Sequence, residues 1–266
     1  MINNTRIYLS VILTYITLGI LGLLFFKINW LVVLIFCIFF AVGNGTIGHR
    51  YFSHNSFEVG KITHWLMGLW VTLCAYSPVH YWIVQHKHHH RHTDDPEDVH
   101  APRNGILNAF ILWPLNVHRI ERVFKERSSI VNLARALRDT SVVFYGRWFV
   151  AINILALLIV SIVDWEILFS GVGIAYLIEQ TRLGIINTVT HTPGLPGNYR
   201  NHDTGDLSQN NWILGLLTLG FGWHNNHHAD PRKLILTEHW WEIDIEGYIG
   251  WLLSRTASGK NNDILS

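Results

Sequence analysis

Four long apolar runs stand out along the chain. The first, Ile7–Phe26, has twenty residues without a charged side chain, about the length that an α-helix needs to cross the hydrocarbon core of a bilayer. The others are Leu31–Gly48, Val142–Val163 and Glu166–Thr190. Only Lys27–Trp30 separates the first two runs and only two residues separate the last two, so the pattern predicts two tight helical hairpins.

Two further stretches are predicted to be helical without crossing the membrane. Lys61–Trp82 is apolar with scattered polar residues, and we interpret it as an interfacial or re-entrant helix rather than a fifth span. Arg119–Arg138 is predicted to be an amphipathic helix that could contact anionic headgroups, a CoA phosphate or an acidic partner protein. The first run is long and has no small-residue cleavage site, which argues against a signal peptide.

The basic residues predict the orientation in the membrane. They are concentrated in the middle of the chain, at Arg91, Arg103, Arg119, Arg122, Lys125, Arg127, Arg135, Arg138 and Arg147. Excess Lys and Arg mark the cytoplasmic side, so both termini and nearly all the histidines are predicted to be cytoplasmic. We predict an all-α integral membrane protein, a single domain over residues 1–266, with four transmembrane helices in two hairpins and a cytoplasmic helical cap.

Composition adds an unusual content of histidine. Charged residues make up 15% of the 266 residues, below the roughly 25% of soluble domains, which agrees with a membrane protein. The formal net charge of +1 gives no indication of a nucleic-acid partner. The chain has 17 histidines and 12 tryptophans, so histidine chemistry is the feature that needs an explanation.

The histidines fall into three clusters, "HRYFSH", "HKHHH" and "HNNHH". The second and third share the pattern HxxHH, and on a helix positions i, i+3 and i+4 lie within an arc of roughly 100°. Three imidazoles on one face can converge on a metal ion. With the first cluster they supply eight ligands, too many for one tetrahedral ion and suited to two octahedral-like ions. The eight are His49, His54, His86, His89, His90, His224, His227 and His228.

The same geometry separates the remaining histidines of the second cluster. Taking His86 as zero, His89 and His90 lie at about −60° and +40°, whereas His88 and His92 lie near 200° and 240°. His88 and His92 are therefore predicted to face away, toward solvent, headgroups or carboxylates such as those of Asp94 and Asp95. We expect His89→Ala to abolish activity and His88→Ala to retain most of it.

The three clusters resemble the histidine boxes of the integral-membrane fatty acid desaturases, and are closest to the stearoyl-CoA-desaturase-like Δ9 group. The resemblance runs from about Val42 to Asp244. It implies an O2-dependent oxidoreductase in which two iron ions dehydrogenate an acyl chain. It also implies a ninth ligand, His191, and a residue that reaches a metal ion through water, Asn187.

The resemblance also implies partners. The acyl chain would be carried by CoA, acyl carrier protein or a glycerolipid, and electrons would come from a separate ferredoxin or cytochrome b5 type protein. One position departs from the family, which often has an acidic residue where this chain has Phe221. Trp82, Tyr81 and the tryptophans of "TEHWWEID" are expected to line the acyl tunnel or to lie at the lipid interface.

Other functions use the same residues. A related acyl hydroxylase or a triple-bond-forming acetylenase would need the same histidine boxes. A non-catalytic histidine-rich metal-binding or transport protein is disfavoured, because transporters usually place ligands near the membrane midplane and these histidines lie outside the middle of every apolar run. Within the last run, Glu179 and Arg182 are expected to form an ion pair rather than a wall of the substrate site.

Overall fold

The apolar and amphipathic periodicity of the sequence produces a mostly helical protein, which a computed structural model describes for residues 5–257. The α-helices are α1 (Thr5–Phe25), α2 (Trp30–Ala41), α3 (Lys61–Leu73), α4 (Val79–His92), α5 (Val117–Val123), α6 (Arg127–Ala136), α7 (Thr140–Ile167), α8 (Ile174–Val189), α9 (Trp212–Leu217), α10 (His224–Ala229) and α11 (Ile245–Ser254). Wider π-helical turns occur at Val42–Ser53, Asn108–Leu112 and Leu168–Gly173, and short 3-10 turns at Pro102–Asn104 and Trp113–Leu115. Two short strands, β1 (Asn198–Tyr199) and β2 (Asn210–Asn211), form an antiparallel pair.

Three helical runs in the described residues are long and apolar enough to cross a membrane: Thr5–Phe25, Trp30–Ser53 and Thr140–Val189. The sequence predicts four spans. The difference arises because α7 and α8 are joined through a π-helical segment into one run of 50 residues. This run is broken only at Asp164, whose backbone is extended (φ −163°, ψ 106°).

The break at Asp164 lets the two arms of the long run pack along α1. At one end of α1, Phe26 stacks on Phe169 with ring centroids 4.7 Å apart. Further along α1, the Tyr15 hydroxyl donates to Asn153 Oδ1 at 3.0 Å, and the Tyr15 ring lies 4.9 Å from that of Tyr176. Because Asn153 precedes the break and Tyr176 follows it, α7 and α8 run in opposite directions beside α1.

The segments between the apolar runs are shorter helices. α3 has 13 residues and a length of about 20 Å, too short to cross a bilayer core of about 30 Å. Two of its apolar side chains, Ile62 and Leu66, are exposed by 79% and 61%. The location of this helix at the membrane interface stays a prediction. The single amphipathic helix predicted for Arg119–Arg138 is wrong, because a turn between Val123 and Arg127 divides it into α5 and α6.

Candidate metal centre

The first histidine cluster lies in the π-helical segment Val42–Ser53 and its C-cap. The backbone N–H of His54 donates to the carbonyl of His49 at 3.2 Å, a bond between residues five apart. In an α-helix two residues five apart point about 140° away from each other, whereas the wider π-turn brings them to the same side. The two imidazole rings consequently lie 4.9 Å apart.

The second and third clusters are helical, as their HxxHH spacing predicts. α4 presents His86, His89 and His90 on one face, and α10 consists almost entirely of the third cluster, which supplies His224, His227 and His228. His191 follows the end of α8 directly after Thr190. All nine predicted ligands are brought together and form two groups whose ring nitrogens lie within 4.8 Å of one another.

The first group contains five histidines, His49, His54, His86, His90 and His227. Their Nε2 atoms face one another. The Nε2–Nε2 distance is 3.0 Å between His49 and His227 and 2.7 Å between His54 and His86. His90 Nε2 lies 3.1 Å from His86 Nε2 and 2.9 Å from His227 Nε2.

The second group contains four histidines, His89, His191, His224 and His228. His224 is central, with its Nε2 2.9 Å from that of His191 and 3.0 Å from that of His228. Carboxylates contact the opposite nitrogen, Nδ1, of three members: Asp98 lies 2.8 Å from His89, Asp94 3.2 Å from His191 and Asp206 2.8 Å from His228.

These contacts fit a pair of bound cations. A histidine that donates its Nδ1 proton to a carboxylate presents a lone pair at Nε2, as His191 and His228 do here. The Nε2 atom of His224 contacts both of these nitrogens and can donate a proton to only one of them. At least one of the two contacts therefore sets lone pair against lone pair, and a cation between the nitrogens removes this repulsion. Two nitrogens about 2.0–2.1 Å from one ion and at a right angle are separated by about 2.9 Å. The observed spacings match that value.

Burial keeps five of the imidazoles in the neutral form that binds metal. Removal from water, followed by the effect of neighbouring histidines, holds the pKa of His86, His90, His224 and His227 well below its usual value. The same causes lower the pKa of His54 to about 3, with Lys87 the largest of the charged neighbours. At these five positions neutral imidazoles are therefore available over the whole physiological pH range.

Several residues of the site were missed in the sequence. His100 is buried, and its ring centroid lies 4.3 Å from that of His89. Asp94 was expected near His88 and His92, but it contacts His191 instead. The acidic stretch "DDPED" directly after the second cluster was a signal for such carboxylate partners. Its pairing could not be read from spacing, because it depends on how the loop folds.

Two adjoining cavities lie beside the first group. One is walled by the metal-site residues His49, His86, His89 and His224, and the other extends away among apolar side chains. They share four wall residues, Tyr76, Trp82, Leu183 and Phe221. Asn187 lines the cavity that contains the histidines.

The tryptophans differ in their surroundings. Trp82 lines both cavities, and its ring stacks on His86 at 5.0 Å. Trp240 of "TEHWWEID" is instead 93% exposed. Tyr81 lines neither of these cavities; its hydroxyl bonds to Thr5 at 2.9 Å.

A buried ion network supports the site from the other side. The predicted pair of Glu179 and Arg182 is confirmed, with a distance of 2.7 Å. Arg182 also contacts Glu246 at 3.2 Å, a partner that the sequence did not indicate. The guanidinium of Arg182 lies 4.8 Å from the ring centroid of Phe221, whose edge in turn faces His49 at 5.0 Å. An aromatic ring thus occupies the space between the cation and the first histidine group.

The fold and the site together define a helical protein with membrane-length apolar helices and two buried histidine clusters that could hold metal ions. A family model described as "Fatty acid desaturase" matches residues 28–244. The chain belongs to the fatty acid desaturase family, as the histidine boxes predicted, and its activity class is that of an oxidoreductase acting on fatty acyl chains.

Individual relatives support this assignment. The sn-2 palmitoyl-lipid 9-desaturase of Nostoc sp. (strain 36) is 30% identical over 243 residues, which cover 90% of this chain and 80% of that protein. The Acyl-CoA 5-desaturase AL21 of Anemone leveillei is 30% identical over 84% of this chain and 68% of its own length. The Delta-9 desaturase-like 4 protein of Arabidopsis thaliana is 31% identical over 76% of this chain, and the match spans 65% of that protein.

Proposed function

We propose that this protein is a membrane-bound, O2-dependent desaturase that introduces a double bond into the acyl chain of a thioester- or lipid-linked fatty acid, with two iron ions held by the two histidine groups. The observation that carries the proposal is the set of nine histidines, seven buried and two partly buried, whose ring nitrogens converge in two groups beside a cavity that adjoins a mainly apolar one. When bound, the iron pair supplies the oxidising power that removal of hydrogen from an unactivated methylene requires.

The first histidine group would hold one ion and the second group the other. Asn187, which lines the same cavity, would complete the second site through a water molecule. Asp94, Asp98 and Asp206 would orient the ligands of this second site by accepting their Nδ1 protons. Neutral imidazoles without thiolates are suitable ligands for iron, and zinc also binds to such ligands.

The chain's own contribution to the reaction is to bind and orient the acyl chain and to exclude water. Tyr76, Trp82, Leu183 and Phe221 would form the apolar wall beside the histidines, with Val71 further along the second cavity. The reaction removes one hydrogen atom from each of two adjacent methylenes. O2 is reduced to two water molecules with two electrons from a donor and two protons.

The carrier of the acyl chain and the electron donor belong to the proposal too. The relatives are named for acyl-lipid and acyl-CoA substrates, so a lipid-linked or CoA-linked chain is favoured over one on acyl carrier protein. A separate ferredoxin or cytochrome b5 type protein would supply the electrons. The basic residues of α5 and α6 offer a surface for an acidic donor or for anionic headgroups.

The proposed topology has four spans, formed by α1, by α2 with its π-helical extension, and by the two arms α7 and α8. The opposite directions of these arms support a hairpin. The concentration of Lys and Arg between Arg91 and Arg147 supports a cytoplasmic active site and cytoplasmic termini. The family match over residues 28–244 includes α2, α7, α8 and all three histidine clusters, which supports one desaturase domain over residues 1–266.

The test is expression in a host without desaturases, supplied with fatty acids of several lengths and analysed by mass spectrometry. We expect oxygen-dependent products lighter by two hydrogen atoms. His89→Ala should reduce them below detection, since it removes a ligand of the second group. The matched control is His118→Ala, which changes a histidine on α5 whose side chain is 90% exposed. It should leave the products unchanged.

Other outcomes discriminate between the alternatives. A product with an added oxygen atom would assign a hydroxylase, and one lighter by four hydrogen atoms an acetylenase. No oxygen-dependent change in any acyl chain, with iron and an electron donor supplied, would contradict an enzymatic role. Bound metal without such products would favour a metal-binding or transport protein.

A further inference from the structure

A second set of side chains that could bind metal lies on the face of α4 that points away from the two histidine groups. It consists of His88, His92 and Glu126, and we call it the outer triad. His88 and His92 are one helical turn apart, with ring centroids separated by 4.5 Å. Glu126 comes from the turn between α5 and α6 and is the N-cap residue of α6. None of the three belongs to either of the two histidine groups proposed for iron.

The donor atoms of the outer triad converge. His88 Nε2 lies 3.0 Å from Glu126 Oε1, and His92 Nε2 lies 3.4 Å from Glu126 Oε2. Two ligands about 2.0–2.1 Å from one ion are about 2.9 Å apart at a right angle and about 3.4 Å apart at the tetrahedral angle. The two distances in the outer triad, 3.0 Å and 3.4 Å, therefore match the separations expected between neighbouring ligands of one ion.

Hydrogen bonds within the described residues leave the outer triad incomplete. His88 has a side chain only 1% exposed, and its Nδ1 has no hydrogen-bond partner in residues 5–257. His92 Nε2 is also buried and makes no hydrogen bond there, although it faces the carboxylate. Ser128 donates its hydroxyl proton to Glu126 Oε2 at 3.3 Å, which holds the carboxylate in place from outside. A cation between His92 and Glu126 would give the buried nitrogen its missing partner.

We propose that the outer triad binds a third metal ion, a divalent transition-metal ion such as Zn²⁺. Two imidazoles and one carboxylate are a common ligand set for Zn²⁺ and leave a position for water. The ion would tie the turn between α5 and α6 to α4, the helix whose opposite face carries His86, His89 and His90. The site is structural, because none of its residues lines the cavity beside the histidine groups.

The test counts bound metal ions. Protein purified with its iron is incubated with zinc and desalted, and iron and zinc per chain are measured by inductively coupled plasma mass spectrometry. We expect one zinc ion in addition to two iron ions. In His92→Ala and in Glu126→Gln the zinc should be lost while both iron ions remain. The exposed His118 provides the matched control, since His118→Ala should keep all three ions.

The strength of binding provides a second measurement. Competition with a chromogenic chelator gives the zinc dissociation constant. Loss of one outer-sphere partner typically weakens metal binding by about 10–100-fold, so loss of a direct ligand should weaken zinc binding at least as much. Glu126→Gln is the more informative variant, because it keeps the size of the side chain and changes only its charge.

Three results would overturn the outer triad as a metal site. The first is a wild-type protein that binds only two metal ions per chain in total, either two iron ions or zinc ions that have replaced them. The second is a third ion that His92→Ala and Glu126→Gln retain. The third is a loss of zinc in His118→Ala as large as in these variants. The inference does not depend on the proposed iron centre, since zinc lost specifically from the triad variants would support it even in a protein that holds no iron.

Discussion

Asp94, Asp98 and Asp206 give the two histidine groups different surroundings. Each of these carboxylates contacts the Nδ1 atom of one member of the second group. Among residues 5–257, no carboxylate lies within 4 Å of a ring nitrogen in the first group. A carboxylate at Nδ1 fixes the tautomer and makes Nε2 a stronger donor. The second group should therefore bind its ion with more basic ligands.

The contribution of one such carboxylate can be measured with Asp206→Asn. Asp206 Oδ2 lies 2.8 Å from His228 Nδ1, and the amide keeps the shape while removing the charge. We expect the iron affinity of the second site to fall by about 10–100-fold, measured by chelator competition on the purified protein. The control is Asp203→Asn, whose side chain is 98% exposed and lies in the same loop. Equal iron affinities in the two variants would contradict an orienting role for Asp206.

At this scale the sequence predicted which histidines come together better than it predicted the carboxylates beside them. His86, His89 and His90 could be assigned because HxxHH has a definite meaning on a helix. The carboxylates could not be assigned in the same way, because Asp206 reaches His228 from a loop without a regular period. Glu126 was missed as the partner of His88 for the same reason, since it lies in an irregular turn.

Among the elements, the π-helical segment after α2 is the clearest case of structure that spacing alone could not predict. The apolar run ending at Gly48 was recognised, but an α-helical continuation would have separated His49 from His54 by about 140°. The wider turn brings the two histidines together. Hydrophobic periodicity does not distinguish α from π winding over so few residues. The start of the helical run was predicted to within one residue, but its winding and its end at Ser53 were not.

The packing of α1 against the π-helical segment Leu168–Gly173 depends on two glycines. A Cβ atom added at Gly19 would lie 2.3 Å from the carbonyl oxygen of Gly173, and one added at Gly173 would lie 2.5 Å from the backbone nitrogen of Gly19. Small residues allow such close contact between membrane helices. Because the clash involves backbone atoms, neither helix can relieve it by a change of rotamer.

We therefore expect Gly19→Ala to destabilise the protein by about 1–3 kcal/mol, the usual cost of overpacking. Unfolding in detergent, followed by circular dichroism, measures the effect. Thr17→Ala on the exposed side of α1 is the control and should change stability little. If the two variants unfold at the same denaturant concentration, the packing of α1 against Leu168–Gly173 does not depend on this contact.

On the scale of the whole molecule, one buried ion network connects distant segments of the chain. Arg50 of the π-helical segment contacts Asp244 at 2.9 Å, and Arg182 of α8 contacts both Glu179 and Glu246. The sequence predicted only the pair within α8, because residues three apart on a helix are neighbours. The longer-range partners follow from the tertiary fold. The five groups comprise three carboxylates and two guanidinium groups, which leaves one surplus negative charge when all are ionised.

Protonation of Glu246 removes this surplus charge, so the contribution of Glu246 to the stability of the fold depends on pH. Burial, with Asp244 and Glu179 nearby, raises the pKa of Glu246 from about 4.5 to about 7, although Arg182 and Arg50 act in the opposite direction. A carboxyl group with a raised pKa in the folded state contributes its stability below about pH 4.5. This contribution is lost as the pH rises to about 7, because the unfolded chain releases the proton first.

Glu246→Gln removes this titration and should change the slope of stability with pH. The stability of the variant relative to wild type should increase between about pH 4.5 and pH 7 and stay constant above that range. Melting temperatures of both proteins, measured in the same detergent across this range, give the difference. Any constant cost of losing the charged contact with Arg182 cancels in the slope, and so do the titrations that both proteins share.

The exposed Glu97→Gln provides the control and should follow wild type at every pH. A difference between Glu246→Gln and wild type that does not vary with pH would show that Glu246 is ionised in the folded protein over this range, despite the surplus negative charge of the network.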